Sequence, residues 1–270
     1  MAPIITNPYR FAAATPVGGW DFANSTYTAG DLLYIGGVEG IAQGISIVDS
    51  GAEMYISGSA APDALYQYTL STPWDITSAT YTASVATPSS ATNTTGIYMK
   101  EDGLKVYFCD SSANAIYMMT LSTAYDITTA TQTDIISSQD SAVTGIFFRD
   151  NGLELYEVGY ARRVYKRTLS TAWDITTAGT ATSFWIGSWT NAPNGVSIKP
   201  DGTKLYFIED QNNRIYELDF GTAWDISTLT FSQYKSANDA TPTALWWRPD
   251  GTNLYHIGIS TDNIYQWAVP

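Results

Sequence analysis

Short apolar and aromatic runs separated by turn residues fill the chain, and no stretch keeps a helical period over a useful length. Residues 145–180 show the pattern most plainly. GIFF at 145–148 and LELYEV at 153–158 are apolar and aromatic runs. Between them lies Asp150-Asn151-Gly152, which supplies the positive φ of a tight hairpin. RVYKRTL at 163–169 alternates as a half-buried strand does, and a weaker fourth strand is expected after Trp173-Asp174-Ile175.

This grammar recurs. Trp-Asp or Tyr-Asp stands at Trp20-Asp21, Trp74-Asp75, Tyr125-Asp126, Trp173-Asp174 and Trp224-Asp225, at intervals of 54, 51, 48 and 51 residues. Turns fall at Ser50-Gly51, Asp102-Gly103, Asp201-Gly202 and Asp250-Gly251, and the second strand of each copy carries a tyrosine: Tyr55, Tyr107, Tyr156, Tyr206 and Tyr255. A fixed period near fifty residues marks units that cannot bury their own apolar faces and must pack on one another. Four antiparallel strands per unit, five times over, predict an all-β, five-bladed β-propeller. The last copy runs from Ala244 to Pro270 without a Trp-Asp segment, whereas GGWDFANSTY at 18–27 has no preceding strands. The N-terminal strand is therefore expected to complete the C-terminal blade as its outermost strand and to close the ring. Residues 18–270 read as one propeller domain and residues 1–17 as an N-terminal arm without repeat grammar.

Composition narrows the function classes. A formal charge of -13 and a pI near 4.2 argue against nucleic acid and anionic membrane surfaces as partners, because both attract lysine and arginine. The N-terminal residues lack the basic and apolar regions of a secretory signal, and no run is long enough to span a bilayer. Cys109 is the only cysteine; its counterparts Ser57, Val158, Ile208 and Ile257 make it a small core residue. His and Cys metal clusters and phosphate loops are absent from the sequence, so no metal, cofactor or catalytic residue is expected.

Candidate sites come from the repeat alignment. Gln43, Thr95, Thr144, Asn194 and Thr243 precede the innermost strands and are expected to form a neutral ring around the channel. Glu39, Asp140 and Asp239 share one offset and would meet near one mouth, either to hold calcium, to act as acid and base, or as solvated loop charge. His256, the only histidine, aligns with Ile56, Phe108, Glu157 and Phe207 and reads as a blade-surface residue. A basic residue ends the first strand at Lys100, Arg149, Lys199 and Arg248, with Val48 in the first copy; pairing with blade carboxylates is expected. Two tryptophans break the repeat. Trp189 stands where the others have Val38, Ser90, Gln139 and Asn238, and Trp246 where they have Ser46, Tyr98, Phe147 and Ser197. Either is a candidate to stack on a sugar ring or to fill the core. Arg162, Arg163, Lys166 and Arg167 make one basic patch on an acidic body, a candidate for an acidic partner or an anionic polysaccharide.

KPDGTKLYFIEDQNNRIYELDFGTAWDIST and YQYTLSTPWDITSAT resemble the repeat of virion-associated propeller proteins of tailed bacteriophages, marine ones in particular, and the opening NPYRFAA resembles their starts. The resemblance spans about residues 18–270 and identifies no catalytic residue. It implies a non-enzymatic virion-surface protein acting in host attachment or as a head or tail decoration. Such a particle assembles in the host cytoplasm, which fits the missing signal peptide. Pro8, Tyr9, Arg10 and Phe11 of the arm would then dock on other virion proteins, with a host-surface glycan as a further partner. Two alternatives stay open: a free-standing carbohydrate-binding lectin using the neutral ring, and a propeller glycosidase using Glu39, Asp140 and Asp239.

Overall fold

The computed structural model describes residues 19–270, which form five four-stranded antiparallel sheets arranged as a five-bladed β-propeller. Named from the innermost strand outward, blade one is Ala42–Val48, Glu53–Gly58, Ala64–Leu70 and Ala79–Ala86. Blade two is Thr94–Met99, Lys105–Asp110, Ala115–Leu121 and Ala130–Ser137; blade three is Val143–Phe148, Glu154–Gly159, Arg163–Thr168 and Thr182–Trp185. Blade four is Pro193–Ile198, Lys204–Glu209, Arg214–Phe220 and Leu229–Ser236. Blade five is Pro242–Trp247, Asn253–Gly258 and Asn263–Ala268, completed by Thr26–Tyr34. Thr26 pairs with Ala268 and Tyr34 with Asn263, and Gly19 N donates to Pro270 O at 2.6 Å. The ring closes as the sequence predicts.

The Trp-Asp motif is a local device with two parts. Its aromatic residue sits at positive φ, from 63° in Trp173 to 68° in Trp20, a conformation uncommon for a bulky side chain. The backbone is held there because each aromatic N–H donates to the carbonyl of the hairpin glycine in its own blade, for example Trp173 N to Gly152 O at 2.8 Å. Gly152, at φ 69°, lies flat under that indole: a Cβ would stand 2.3 Å from the Trp173 ring. The Asp then caps a 3-10 turn, as Asp174 Oδ1 accepts from Thr176 N at 3.0 Å.

Neighbouring blades are joined through the same motif. In four blades the second-strand tyrosine donates to the motif carbonyl of the next blade, as Tyr107 does to Trp173 O at 2.7 Å and Tyr255 to Trp74 O at 2.7 Å; in blade four Tyr206 donates instead to Glu217 of its own blade. The basic residue ending the first strand lies over the next blade's indole, Lys100 over Trp173, Arg149 over Trp224, Lys199 over Trp20 and Arg248 over Trp74, between 4.5 and 5.8 Å from the ring centre. Each cation also pairs with a carboxylate of its own blade: Asp102, Glu154, Asp201 and Asp250.

At the axis the blades meet backbone to backbone. Added to Gly145, a Cβ would lie 2.6 Å from the Gly195 Cα, and the axial position is otherwise Gly44, Gly96 and Ala244. The cavity there is about 10 Å³, room for at most one water. Trp246 helps line it and stands 5.8 Å from Tyr98, which in turn packs 5.9 Å from Phe147. Trp246 is thus half-buried packing at the axis, not an exposed stacking ring.

His256 is fully buried in blade five, which corrects its assignment to the blade surface. It stacks on Tyr265 at 4.7 Å, as Phe108 stacks on Tyr117 and Phe207 on Tyr216. The aligned Glu157 is equally buried and is paired with Arg167 at 2.8 Å, so the position is core in every blade. Cys109 is buried core, as expected.

Candidate functional site

The neutral ring residues face neighbouring backbone. Thr95 Oγ1 donates to Val143 O (2.9 Å), Thr144 Oγ1 to Pro193 O (2.8 Å) and Thr243 Oγ1 to Ala42 O (2.8 Å), each crossing to the next blade. Gln43 Nε2 donates to Ser59 Oγ (2.7 Å), and Asn194 hydrogen-bonds the Asp210 carboxyl. Thr95, Thr144, Asn194 and Thr243 are buried, so the ring fastens the blades rather than presenting a polar face to a ligand in the channel.

The three offset acids are buried within their own blades. Glu39 Oε1 accepts from Ile41 N and Ala60 N, Asp140 Oδ1 from Ala142 N and Ala161 N, and Asp239 Oδ1 from Thr241 N and Ser260 N, at 2.6–3.2 Å. Each staples the loop before the innermost strand to the turn after the second. A glycine makes room: a Cβ on Gly58, Gly159 or Gly258 would stand 2.0–2.6 Å from the acid's side chain. Blades two and four reach the same result with the positions exchanged. There the loop residue is Ala91 or Thr190, and the carboxylate comes from the strand end, Asp110 accepting from Thr92 N and Asn93 N, and Glu209 from Asn191 N. The acids neither converge nor stand free, and no group of three or more metal-ligating side chains occurs among the described residues. They are not an acid and base pair.

The repeat is broken in blade three. Its outermost strand covers only Thr182–Trp185, whereas those of blades one, two and four run for eight residues. Sequence explains this. Gly179-Thr180-Ala181 replaces Thr80-Tyr81-Thr82, Thr131-Gln132-Thr133 and Thr230-Phe231-Ser232, trading strand-forming and bulky residues for small ones. The missing ladder opens a cleft of about 470 Å³ against the Trp-Asp turn of blade four, lined by Arg149, Glu154, Lys166, Thr180, Thr182 and Asp225 among others. That volume lies within the range of small-molecule sites.

Inside the cleft, Lys166 Nζ reaches Glu154 Oε1 at 3.0 Å and Trp224 O at 2.9 Å, and Arg149 Nη1 reaches Glu154 Oε2 at 3.1 Å. Partial burial works to raise the Glu154 carboxyl. Hydrogen bonds from Lys166, Arg149 and Tyr156 outweigh it and hold the group below its ordinary value. Asp225 is lowered too, by the Ser227 hydroxyl and N–H. Both carboxylates are therefore ionised at neutral pH, and neither starts out protonated as a glycosidic general acid must.

The remaining candidates scatter. Trp189 is half-buried between Phe184 of blade three and Phe231 of blade four, 6.2 Å from each. The basic patch divides: Arg167 is buried on Glu157, Lys166 lines the cleft, and Arg162 and Arg163 flank the exposed Trp185 ring at 5.2 and 5.6 Å. Pro8, Tyr9, Arg10 and Phe11, with the rest of the arm, lie outside the described residues. No helix among the described residues is long and apolar enough to cross a membrane.

No family model matches the chain, and no curated protein matches it in sequence. Solved structures do. The periplasmic gluconolactonase of Pseudomonas aeruginosa aligns with a TM-score of 0.51 at 11% identity, over 83% of this chain and 65% of that one. Candidate 6-phosphogluconolactonases of Bacteroides uniformis and Bacteroides fragilis each align with a TM-score of 0.50 at 13% identity, over 79% and 80% of this chain and 63% of theirs. These likenesses show a shared propeller fold, and the chain spans under two thirds of those proteins' length. They also correct the functional expectation: these three structures carry lactonase names, and none of them supports a non-enzymatic protein of a phage surface.

Proposed function

We propose that the cleft between blades three and four binds a small hydroxylated acid or its lactone. One observation carries this reading: the blade whose outermost strand is cut short opens a polar cleft of about 470 Å³, while the axis is shut to about 10 Å³. Lys166 and Arg149 offer cationic donors to a carboxylate or carbonyl oxygen, and Thr168, Thr180 and Thr182 offer hydroxyls to a polyol. The lactonase names of the structural neighbours support the choice of ligand.

A second reading, hydrolysis of the bound lactone, is favoured by the ionised Glu154 beside two cations. Glu154 takes a proton from water as its oxygen attacks the lactone carbonyl, and Lys166 and Arg149 stabilise the oxyanion. The ring C–O bond then breaks, and the alkoxide recovers the proton from Glu154 to give the hydroxy acid.

Calorimetric titration with gluconate and gluconolactone tests the binding. Thr180→Tyr fills the cleft with the residue of blade one, and Lys166→Gln installs the residue of blades one and five, so both suit the fold. Each should weaken binding roughly tenfold or more. Equal affinity in all three proteins, or no binding by the parent protein, would overturn the assignment. Acid release from gluconolactone above the spontaneous rate, lost in Glu154→Asn, would establish turnover.

A further inference from the structure

The cleft continues into a row of aromatic rings. Thr182 lines the cleft, and Phe184 lies two residues along the same strand, hence on the same face. From Phe184 the rings run to Trp189 (6.2 Å), to Phe231 (6.2 Å) and to Tyr234 (6.4 Å), bridging the outer edges of blades three and four. Phe231 and Tyr234 are more than 40% exposed, although each is large and apolar. The row ends at Arg214, whose guanidinium lies 3.9 Å over the Tyr234 ring, hydrogen-bonds Tyr216 and stands across the strand pair from Glu209, but forms no ion pair among the described residues. Blades one and two carry Ala64 and Ala115 at that position and blade five carries Asn263, so the arginine is no requirement of the fold.

We infer that this row is an extended subsite for an acidic oligosaccharide whose terminal unit occupies the cleft, an inference that rests on the cleft reading and names its ligand class. Ring faces in series suit the apolar faces of successive sugar rings, and the Arg214 guanidinium, held by no ion pair, suits a uronate carboxylate in a bidentate pair. Charge favours a thin polymer over an acidic protein. On a chain of net charge -13 a facing acidic surface is repelled beyond the strip, whereas a single glycan strand touches only the strip.

Titration with galacturonate and with a galacturonate tetrasaccharide tests this, in the parent protein and in Trp189→Gln, Phe231→Gln and Arg214→Ala, each a residue found at that position in another blade. The tetrasaccharide should bind roughly tenfold or more tightly than the monomer, and the variants should lose that gain while binding the monomer as before. A tetrasaccharide bound no better than the monomer overturns the row and leaves the cleft standing. Tetrasaccharide binding lost in the row variants but indifferent to Thr180→Tyr, with no monomer binding, keeps the row and overturns the cleft. A neutral tetrasaccharide bound equally well overturns the role of Arg214.

Discussion

Val48 of blade one packs in the same apolar cluster as Tyr125 of blade two, where the four other interfaces set a lysine or arginine over a tryptophan. The two exceptions to the repeat are thus one exception, made on both sides of a single interface. Installing both halves of the rule, Val48→Arg with Tyr125→Trp, should recover a favourable coupling of about 0.5–1 kcal/mol in a double-mutant cycle. Val48→Arg alone should destabilise, because burial of the cation comes without the better ring. A coupling of zero by chemical denaturation would show that the pattern is incidental.

The buried imidazole of His256 predicts a pH dependence. Burial lowers its pKa from 6.5 to about 4. Between those values the unfolded chain binds a proton that the native protein does not, so stability falls as pH falls through this window, by about 3 kcal/mol in all. His256→Phe, the residue of blades two and four, should flatten the melting temperature across that range relative to the parent. Parallel curves for the two proteins would refute this.

Relocating a loop staple should rescue its loss. Glu39→Ala strands the N–H groups of Ile41 and Ala60 and should cost about 2 kcal/mol. Adding Gly58→Asp recreates the arrangement of Ala91 with Asp110 and should restore most of that in urea titrations. Additive losses in the double variant would mean that the two positions are not interchangeable.

Backbone contact at the axis leaves no room for a methyl group. Gly145→Ala should destabilise by about 1–3 kcal/mol, as overpacking does, since Gly195 backbone and not a movable side chain stands in the way. Thermal melting decides it, and an unchanged midpoint would show that the axis can relax.

Much of this architecture is written in the sequence because local rules and global fold agree: each Asp-Gly turn and each Trp-Asp pair fixes a hairpin or a cap at a constant spacing. His256 misleads because its aligned residues mix Ile, Phe and Glu. The charge of Glu157 looks solvated until Arg167 is found beside it. Glu39, Asp140 and Asp239 suggest convergence, yet Asp110 and Glu209 fill the same role from another register, and only the fold equates them. The cleft left a legible trace, Gly179 where the four other copies have threonine, but its meaning depends on which strand faces blade four. The aromatic row joins Trp189 to residues of two blades that no spacing rule connects.

The strand that completes blade five has a temporal consequence. Thr26–Tyr34 is the first of the propeller's strands to be synthesised, yet its hydrogen-bonding partner Asn263–Ala268 is the last of them. The four intervening blades can form in order as they emerge, but the earliest strand must wait with an unpaired edge until the last strand of blade five has emerged. Closing that contact carries the largest sequence separation among the described residues, so folding should end on a slow, all-or-none docking step, and nascent chains should depend on something to shield the waiting edge.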